Sequence, residues 1–281
     1  MTKAPFRTWL ITGCSAGFGR VLAEAVLARG DRVMLTARDP GKLADLAARY
    51  PETARTAPLD VTRAGDATAA VAATQAAFGV LDVLVNNAGY GFLSAVEEAA
   101  PEEYRALFDA NVFGLIETTQ AALPLMRQGT GGRIVQFSSN LGLQSRAGYG
   151  YYSATKFAVE GLSEALAAEL EPLGISVILV EPGAFRTDFL GRSITFAADR
   201  IDAYEETAGV VRAAVPTRAG AQPGDPQRGV AVILQAVDAE NPPLRLALGP
   251  DAHRNIRAKL ARVAADLDAW ESVAADTDFR E

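Results

Sequence analysis

Short runs of apolar and β-branched residues alternate along the chain with longer stretches in which alanine and leucine recur at helical spacing. The short runs predict strands, and the longer stretches predict helices. Strands are expected over residues 8–11, 32–36, 56–59, 81–86, 133–138, 176–181 and 244–248, the third being the weakest. Helices are expected over residues 18–29, 40–50, 63–78, 101–128 and 152–173.

This alternation predicts an α/β fold in which a parallel sheet is covered by helices on both faces. The strands are nearly continuous hydrophobic runs, as strands buried on both faces are. No repeat of fixed period and no low-complexity linker interrupts the pattern. Residues 1–281 are therefore expected to form a single domain with a doubly wound parallel sheet of about seven strands.

Two segments depart from the alternation. Residues 184–226 mix aromatic, charged and small residues without a strand pattern, and we expect this insertion to cover a substrate. Residues 250–281 form a C-terminal tail that is expected to be helical to about Val273 and to pack on the edge of the domain.

Composition narrows the classes of function. The 281 residues are 49% hydrophobic, and a net charge of -7 without a long basic run disfavours a nucleic-acid surface. The chain has one cysteine, Cys14, and one histidine, His253, so neither a disulfide framework nor a metal site is expected. Because no apolar run is long enough to span a bilayer and no secretory leader is recognisable, we expect a soluble cytoplasmic protein without a membrane partner.

A glycine-rich turn follows the first strand and leads into a helix. Such a turn presents backbone N–H groups and the positive end of the helix dipole to a pyrophosphate. Gly13 permits the tight turn, Gly17 lets the backbone approach the ligand, and Gly19 lets the helix pack closely on the sheet. The candidate cofactor residues here are Gly13, Ser15, Ala16, Gly17, Phe18 and Gly19. A flexible connecting loop is the alternative, and Cys14 is interpreted as a small packing residue.

The end of the second strand bears on which dinucleotide is preferred. An acidic residue there holds the ribose hydroxyls of NAD, whereas an arginine accommodates the 2′-phosphate of NADP. This chain has Ala37 followed by Arg38, which favours NADP(H). The neighbouring Asp39 is placed to neutralise Arg38, and a solvated surface arginine is the alternative interpretation.

Further candidates follow the ends of later strands, where small residues and amides line the floor of a ligand crevice in parallel sheets. They are Asp60, Val61, Asn87, Ala88, Gly89, Pro182, Gly183 and Thr187. A plain turn at residues 87–89 and a helix cap at Thr187 are the alternatives. Asn111 interrupts a predicted helix, which indicates either a local distortion or a polar task.

A tyrosine and a lysine share one face of a predicted helix, because Tyr152 and Lys156 are four positions apart. A nearby ammonium lowers the pKa of a phenol, which makes Tyr152 a candidate general acid or base. Ser139 closes the preceding strand, so its hydroxyl is expected to converge with that of Tyr152 on one substrate oxygen. An interfacial tyrosine with a solvated lysine, and a pair of capping serines, are the alternatives.

Taken in order, these motifs resemble those of the short-chain dehydrogenase/reductase superfamily. The matching segments are TGCSAGFG, LDV, NNAG, NVFG with Asn111, the Ser139 to Tyr152 spacing, YYSATK and EPGAFRT, which together extend from about Thr8 to Phe189. The segments GFGR, FGVLDVLVNNAGYG and VEPGAFRTDFLGRS are similar to the hydroxysteroid-dehydrogenase-like branch. The resemblance implies a Rossmann-type fold and hydride transfer with a nicotinamide dinucleotide.

The resemblance also implies a role for each catalytic residue. Tyr152 donates the proton in reduction and accepts it in oxidation, and Lys156 lowers its pKa and binds the nicotinamide ribose. Ser139 orients the carbonyl and stabilises charge on its oxygen. Asn111 holds a water that links Lys156 to solvent. Tyr149 and Tyr151 are not predicted to act, because neither is followed four positions later by a lysine.

For the cofactor, the resemblance implies that the glycine turn cradles the pyrophosphate. The adenine lies between Asp60 and Val61, residues 87–89 meet the ribose and nicotinamide, and Thr187 meets the carboxamide. The expected reaction is reversible hydride transfer between NADP(H) and a small, mainly apolar carbonyl compound or secondary alcohol.

The resemblance further implies a homodimer or homotetramer that assembles through the predicted helices 101–128 and 152–173. A catalytically silent NADP(H)-binding regulator and an isomerase that uses its cofactor internally are the alternatives. Ser139, Tyr152 and Lys156 are all present, which argues against the regulator.

Overall fold

Nine strands lie within residues 6–129 and 131–279, which are the residues that the computed structural model describes. Their bounds are β1 Thr8–Ile11, β2 Arg32–Ala37, β3 Ala54–Pro58, β4 Val83–Asn86, β5 Gly91–Leu93, β6 Gly132–Phe137, β7 Ile175–Pro182, β8 Ile194–Phe196 and β9 Arg245–Leu248. Seven of them form one parallel sheet in the order β3-β2-β1-β4-β6-β7-β9, while β5 and β8 pair separately. The strand order reverses between β1 and β4, so a crevice is expected outside the carboxyl ends of these two strands.

The helices are α1 Gly17–Ala28, α2 Ala44–Arg49, α3 Asp66–Phe78, α4 Pro101–Phe108, α5 Gly114–Met126, α6 Gly150–Leu170, α7 Val210–Ala213, α8 Val215–Arg218, α9 Pro226–Asp238 and α10 Pro250–Ala274. A π-helical turn, Asp109–Phe113, joins α4 to α5. None of the helices in the described part of the chain is both long and apolar enough to cross a membrane.

The core has two halves, one on each face of the sheet. Successive residues of a strand point to opposite faces, so Trp9 and Ile11 pack with α1, α2 and α9, whereas Leu10 packs with α3 and α5. All three side chains are fully buried. Helices cover both faces of the sheet. A ligand can therefore reach the sheet at the loops that follow the carboxyl ends of the strands.

The predicted α/β fold with a doubly wound parallel sheet of seven strands is confirmed. The ends of the observed main-sheet strands lie within two residues of the predicted ends. The helix predicted over residues 101–128 is instead divided by the π turn at Asp109–Phe113, which is the local distortion that Asn111 indicated. Helix α9 was not predicted.

The expectation that residues 184–226 lack strands is wrong at β8. This strand has three residues, too few to show a period of two, and it exists because it pairs with β5. The C-terminal tail is helical over α10, as predicted. Only its start packs on the domain, because Ala252 is buried whereas all residues from 261 to 279 are exposed.

The close packing of α1 on the sheet gives a stability prediction. A Cβ on Gly19 would overlap the Asn87 side-chain amide and lie 2.5 Å from the Gly13 carbonyl oxygen. We expect Gly19→Ala to lower the free energy of unfolding by about 1–3 kcal/mol through overpacking, measured by urea denaturation.

Gly161→Ala is the matched control. Gly161 is exposed on α6, and a Cβ there would meet no atom within 4 Å. Because alanine is the better helix former, this variant is expected to be more stable than the wild type by up to ~1 kcal/mol. Equal stability of the two variants would contradict the packing assigned to Gly19.

Candidate active site

A cleft of about 1260 Å³ lies at the carboxyl ends of the strands. The predicted site residues that line it are Gly13, Ser15, Ala16, Gly17, Phe18, Arg38, Asp60, Val61, Asn87, Ala88, Gly89, Ser139, Tyr152, Lys156, Pro182, Gly183 and Thr187. Gly19 and Asn111 are the predicted residues that do not reach it; both are buried directly behind it. The fold thus brings residues that are far apart in the sequence to one edge of the sheet.

The glycine turn is held to the end of β4 by hydrogen bonds. The Asn87 amide donates to the carbonyl oxygens of Thr12 at 2.8 Å and Gly13 at 3.1 Å. The Thr12 hydroxyl oxygen accepts from the backbone N–H groups of Asn87 and Ala88, both at 2.9 Å. Gly13 and Gly17 have left-handed backbones, with φ of 73° and 57°. The turn therefore has one conformation, which glycine alone adopts without strain.

This turn fits a pyrophosphate. Helix α1 begins directly after Ala16, which has no side-chain acceptor, so no side chain caps the helix. The first N–H groups of a helix lack intrahelical partners and carry its positive dipole end. With Gly17 and Phe18 lining the cleft, these groups are placed to bind phosphate oxygens.

At the far end of the cleft, Arg38 follows β2 and is exposed. The Asp39 carboxylate accepts from the Gly41 N–H at 3.0 Å and caps the 3-10 turn at Pro40–Leu43. No ion pair joins Asp39 to Arg38 among the described residues, so the neutralisation that counted against an NADP(H) preference is not seen here. Burial acts to raise the pKa of Asp60, but hydrogen bonds from Thr62 and the charge of Arg38 outweigh it and lower that pKa.

Tyr152 lies in an apolar wall of the cleft with 6% of its surface exposed. Its ring contacts those of Phe189 and Tyr149, with centroids 5.7 Å and 6.3 Å away. Burial raises the pKa of the phenol above its usual range, and the hydrogen bond with Ser139 opposes this only in part. The net shift of the Tyr152 pKa is therefore upward, because the low polarity around the ring dominates, and the lowering expected from Lys156 stays a prediction.

Lys156 is buried, and its ammonium Nζ donates to the carbonyl oxygen of Phe137 at 2.8 Å. Phe137 ends β6, so this bond joins α6 to the strand that precedes Ser139. Burial lowers the pKa of Lys156 to about 8, and the charge of Glu160 opposes the shift. The group is therefore mostly protonated at neutral pH and loses its proton just above it.

Asn111 takes part both in a local distortion of the helix and in polar contacts, which were the two interpretations of its position. It lies in the π turn, and its amide exchanges two hydrogen bonds with the backbone of Tyr90, at 2.9 Å and 3.0 Å. It also donates to the Thr155 hydroxyl at 3.2 Å. A Cβ on Gly89 would lie 2.9 Å from Asn111 Oδ1 and 3.9 Å from Lys156 Nζ, so these groups are neighbours. The water that Asn111 is expected to hold stays a prediction.

The neighbouring tyrosines have other environments. The Tyr151 ring stacks on Tyr104 with centroids 4.9 Å apart, and its hydroxyl donates to the Val96 carbonyl oxygen at 2.9 Å. Tyr149 lines the cleft beneath the Arg146 guanidinium. Tyr152 is the tyrosine on the same helix face as Lys156 and within hydrogen-bonding reach of Ser139.

Two residues need a separate comment. Thr187 lines the cleft, and its hydroxyl oxygen also accepts from the Phe189 N–H at 3.4 Å as a helix cap. The sequence does not single out Gln222, because this residue belongs to no motif and lies in the segment 184–226, which has no strand pattern. Gln222 lines the cleft with 5% exposed surface, and neither end of its amide has a hydrogen-bond partner among the described residues. An unpaired buried amide costs about 1–3 kcal/mol, which makes Gln222 a candidate ligand-binding residue.

Comparison with known proteins identifies the family. The short chain dehydrogenase family model matches residues 7–196. A short-chain dehydrogenase from Streptomyces avermitilis, known from its crystal structure, is 46% identical and superimposes with a TM-score of 0.92 over 98% of this chain and 100% of that one. This chain belongs to the short chain dehydrogenase family.

Two curated proteins are similar to this chain along most of their length. Oxidoreductase BOA17 of Botryotinia fuckeliana is 36% identical over 88% of this chain and 90% of that protein. The 3-ketodihydrosphingosine reductase of Bacteroides thetaiotaomicron is 36% identical over 86% of this chain and 87% of that protein. The predicted superfamily is confirmed, and the hydroxysteroid-dehydrogenase-like branch stays a prediction.

The buried lysine gives a prediction about stability and pH. In the folded state the pKa of Lys156 is about 8, against an ordinary value of 10.5. At pH values between these two pKa values, the lysine binds more protons in the unfolded chain than in the folded one. Its contribution to the free energy of unfolding therefore rises with pH. We expect the free energy of unfolding of the wild type, relative to Lys156→Met, to increase by about 1.5 kcal/mol from about pH 7.5 to about pH 9.5. A flat difference in urea denaturation would show that burial does not depress this pKa.

Proposed function

We propose that the protein transfers a hydride reversibly between NADP(H) and a carbonyl or secondary alcohol, with Tyr152 as the general acid and base. The observation that carries the proposal is that Ser139, Tyr152 and Lys156 line the same cleft as the glycine turn. A bound nicotinamide supplies the hydride, and the protein supplies orientation and the proton.

In the direction of reduction, the Tyr152 hydroxyl donates its proton to the carbonyl oxygen as the carbon accepts the hydride, and the product is an alcohol. Burial keeps the phenol protonated at neutral pH, because it raises the Tyr152 pKa. That is the form required of a general acid. Ser139 orients the same oxygen by hydrogen bonding.

Lys156 stabilises the charge that this transfer leaves on Tyr152. Its ammonium lies 5.8 Å from the centre of the Tyr152 ring, and its pKa of about 8 keeps most of the group charged at neutral pH. An ammonium at this distance in a site of low polarity favours the phenolate over the neutral phenol. The barrier to proton transfer is thus lowered although the resting phenol is a weak acid.

The walls of the cleft favour a mainly apolar substrate. Its apolar lining near Tyr152 comprises Leu141, Tyr149, Phe189, Leu190, Val211 and Val215. Gln222 adds one donor and one acceptor to the lining of the cleft, so we propose that the substrate or the cofactor presents a polar group to it. The name of the related 3-ketodihydrosphingosine reductase states reduction of a keto compound, which supports a carbonyl substrate.

The proposal includes assembly into a homodimer or homotetramer and a cytoplasmic location. Support for assembly comes from three apolar side chains that are exposed on the long helices and the π turn, namely Phe113, Phe157 and Leu162. Exposed aromatic and leucine side chains on helix surfaces are typical of subunit interfaces.

Tyr152→Phe tests the mechanism. The variant retains the ring and its packing but lacks the proton, so we expect kcat for carbonyl reduction to fall by about 10²-fold or more. The dissociation constant for NADPH, measured by fluorescence titration, is expected to stay within about twofold of the wild type. Tyr151→Phe is the matched control, since Tyr151 points away from the cleft. Undiminished turnover by Tyr152→Phe would contradict the assignment.

Arg38→Ala tests the choice of cofactor. If Arg38 binds the 2′-phosphate, its loss is expected to weaken NADPH binding by about tenfold or more, because an arginine–phosphate pair is a charge-assisted hydrogen bond. NADH binding should change little. Asp39→Ala removes only the cap and should leave the ratio of the two affinities as in the wild type. A ratio unaltered by Arg38→Ala would show that NADP(H) is not selected here.

A further inference from the structure

The C-terminal helix α10 carries an apolar seam that, from Leu260 onward, is exposed and not covered by the described part of the chain. Ile256, Leu260, Val263, Leu267 and Trp270 follow one another at intervals of four, three, four and three residues. This is the heptad spacing of a helix that packs against another helix. The exposed fractions of Leu260, Leu267 and Trp270 are 58%, 67% and 66%.

The helix is fixed at its start and exposed beyond it. Ala252 is fully buried, and the Asp251 carboxylate accepts from the Ala184 N–H at 2.8 Å. From residue 261 onward all described residues are exposed. The seam is therefore held in one orientation relative to the domain, and little entropy is lost when a partner binds to it.

Beyond Asp251, the charges of α10 are separated along its length. The first half carries Arg254, Arg257, Lys259 and Arg262, and the second half carries Asp266, Asp268 and Glu271. A second α10 in the same direction would place like charges side by side. A second α10 in the opposite direction would place each basic half beside an acidic half and would also oppose the two helix dipoles favourably.

We propose that α10 pairs antiparallel with α10 of a second copy of this chain. The register that aligns both seams places Leu260 opposite the partner subunit's Trp270 and Val263 opposite the partner subunit's Leu267. A two-fold axis repeats each layer, so four apolar layers form from two contacts. In the same register Arg257 and the partner subunit's Glu271 flank the seam on the same side and are placed to pair.

Charge favours a second copy over a lipid surface as the occupant. An anionic membrane attracts basic residues beside an apolar face, but Asp266, Asp268 and Glu271 flank half of this seam and would be repelled. The pattern is complementary to itself, which is the property that a two-fold symmetric interface requires. This contact is separate from the helix surfaces that carry Phe157 and Leu162.

Leu267→Glu tests the seam. Sedimentation equilibrium of the full-length protein is expected to give half the wild-type mass for this variant, because a charge is placed in a central apolar layer. Val80→Glu is the matched control, since Val80 is 43% exposed outside α10, and it should retain the wild-type mass. Leu267 is exposed in the single subunit, so circular dichroism should show both variants folded. A Leu267→Glu mass equal to that of the wild type overturns the proposal.

Charge reversal tests the direction of pairing. Arg257→Glu and Glu271→Arg are each expected to weaken the association, and the double variant is expected to restore it, because the two positions flank the seam on the same side only in the antiparallel arrangement. Failure of the double variant to restore the wild-type mass overturns the antiparallel register.

Trp270 provides an independent signal. The chain has two tryptophans, and Trp9 is fully buried, so a red shift of the emission on dilution reports exposure of Trp270. We expect this shift in the wild type and its absence in Leu267→Glu, which is already dissociated. The wild type is diluted from well above to well below the midpoint of dissociation. An emission maximum that stays constant over this range counts against the pairing.

Discussion

The hydrogen bond from the Lys156 ammonium to the Phe137 carbonyl oxygen is the contact on which the geometry of the site depends. It joins α6, which carries Tyr152, to the end of β6, which leads into Ser139. A buried ammonium is unfavourable unless it is hydrogen-bonded, so this contact restrains the lysine strongly. The same burial lowers the lysine pKa toward neutrality, where a proton is exchanged readily.

A second set of buried hydrogen bonds fixes the opposite side of the cleft. Thr12 and Asn87 tie the glycine turn after β1 to the end of β4, at the point where the strand order reverses. The parallel sheet sets the distance between the two sides, because β4 lies between β1 and β6 and both neighbours are in register with it. The glycine turn and the Tyr152–Lys156 pair are thus parts of one rigid end of the sheet.

The sequence predicted those features that depend on local pattern. Strands such as β1 and β2 are buried on both faces, so continuous apolar runs in the sequence reveal them. The glycine turn was also predictable, because the turn itself requires glycine at positions 13, 17 and 19. The π turn at Asn111 was indicated only as a distortion, since its form depends on hydrogen bonds to Tyr90 in a distant loop.

Other features depend on burial, which no short pattern encodes. The raised pKa of Tyr152 comes from its burial among the residues that the fold gathers around it, which the motif does not show. Gln222 belongs to no motif, and its lack of partners appears only once the segment that carries it closes one side of the cleft. Helix α9 and the short strand β8 likewise depend on tertiary packing and pairing.

The central claim is that one cleft holds the dinucleotide and the proton donor together. A crystal structure of the protein with NADPH tests this most directly. We predict the pyrophosphate on the turn from Gly13 to Gly19, the 2′-phosphate beside Arg38, and the nicotinamide next to Tyr152 with its ribose on Lys156. A dinucleotide bound elsewhere, or a nicotinamide far from Tyr152, would contradict the account.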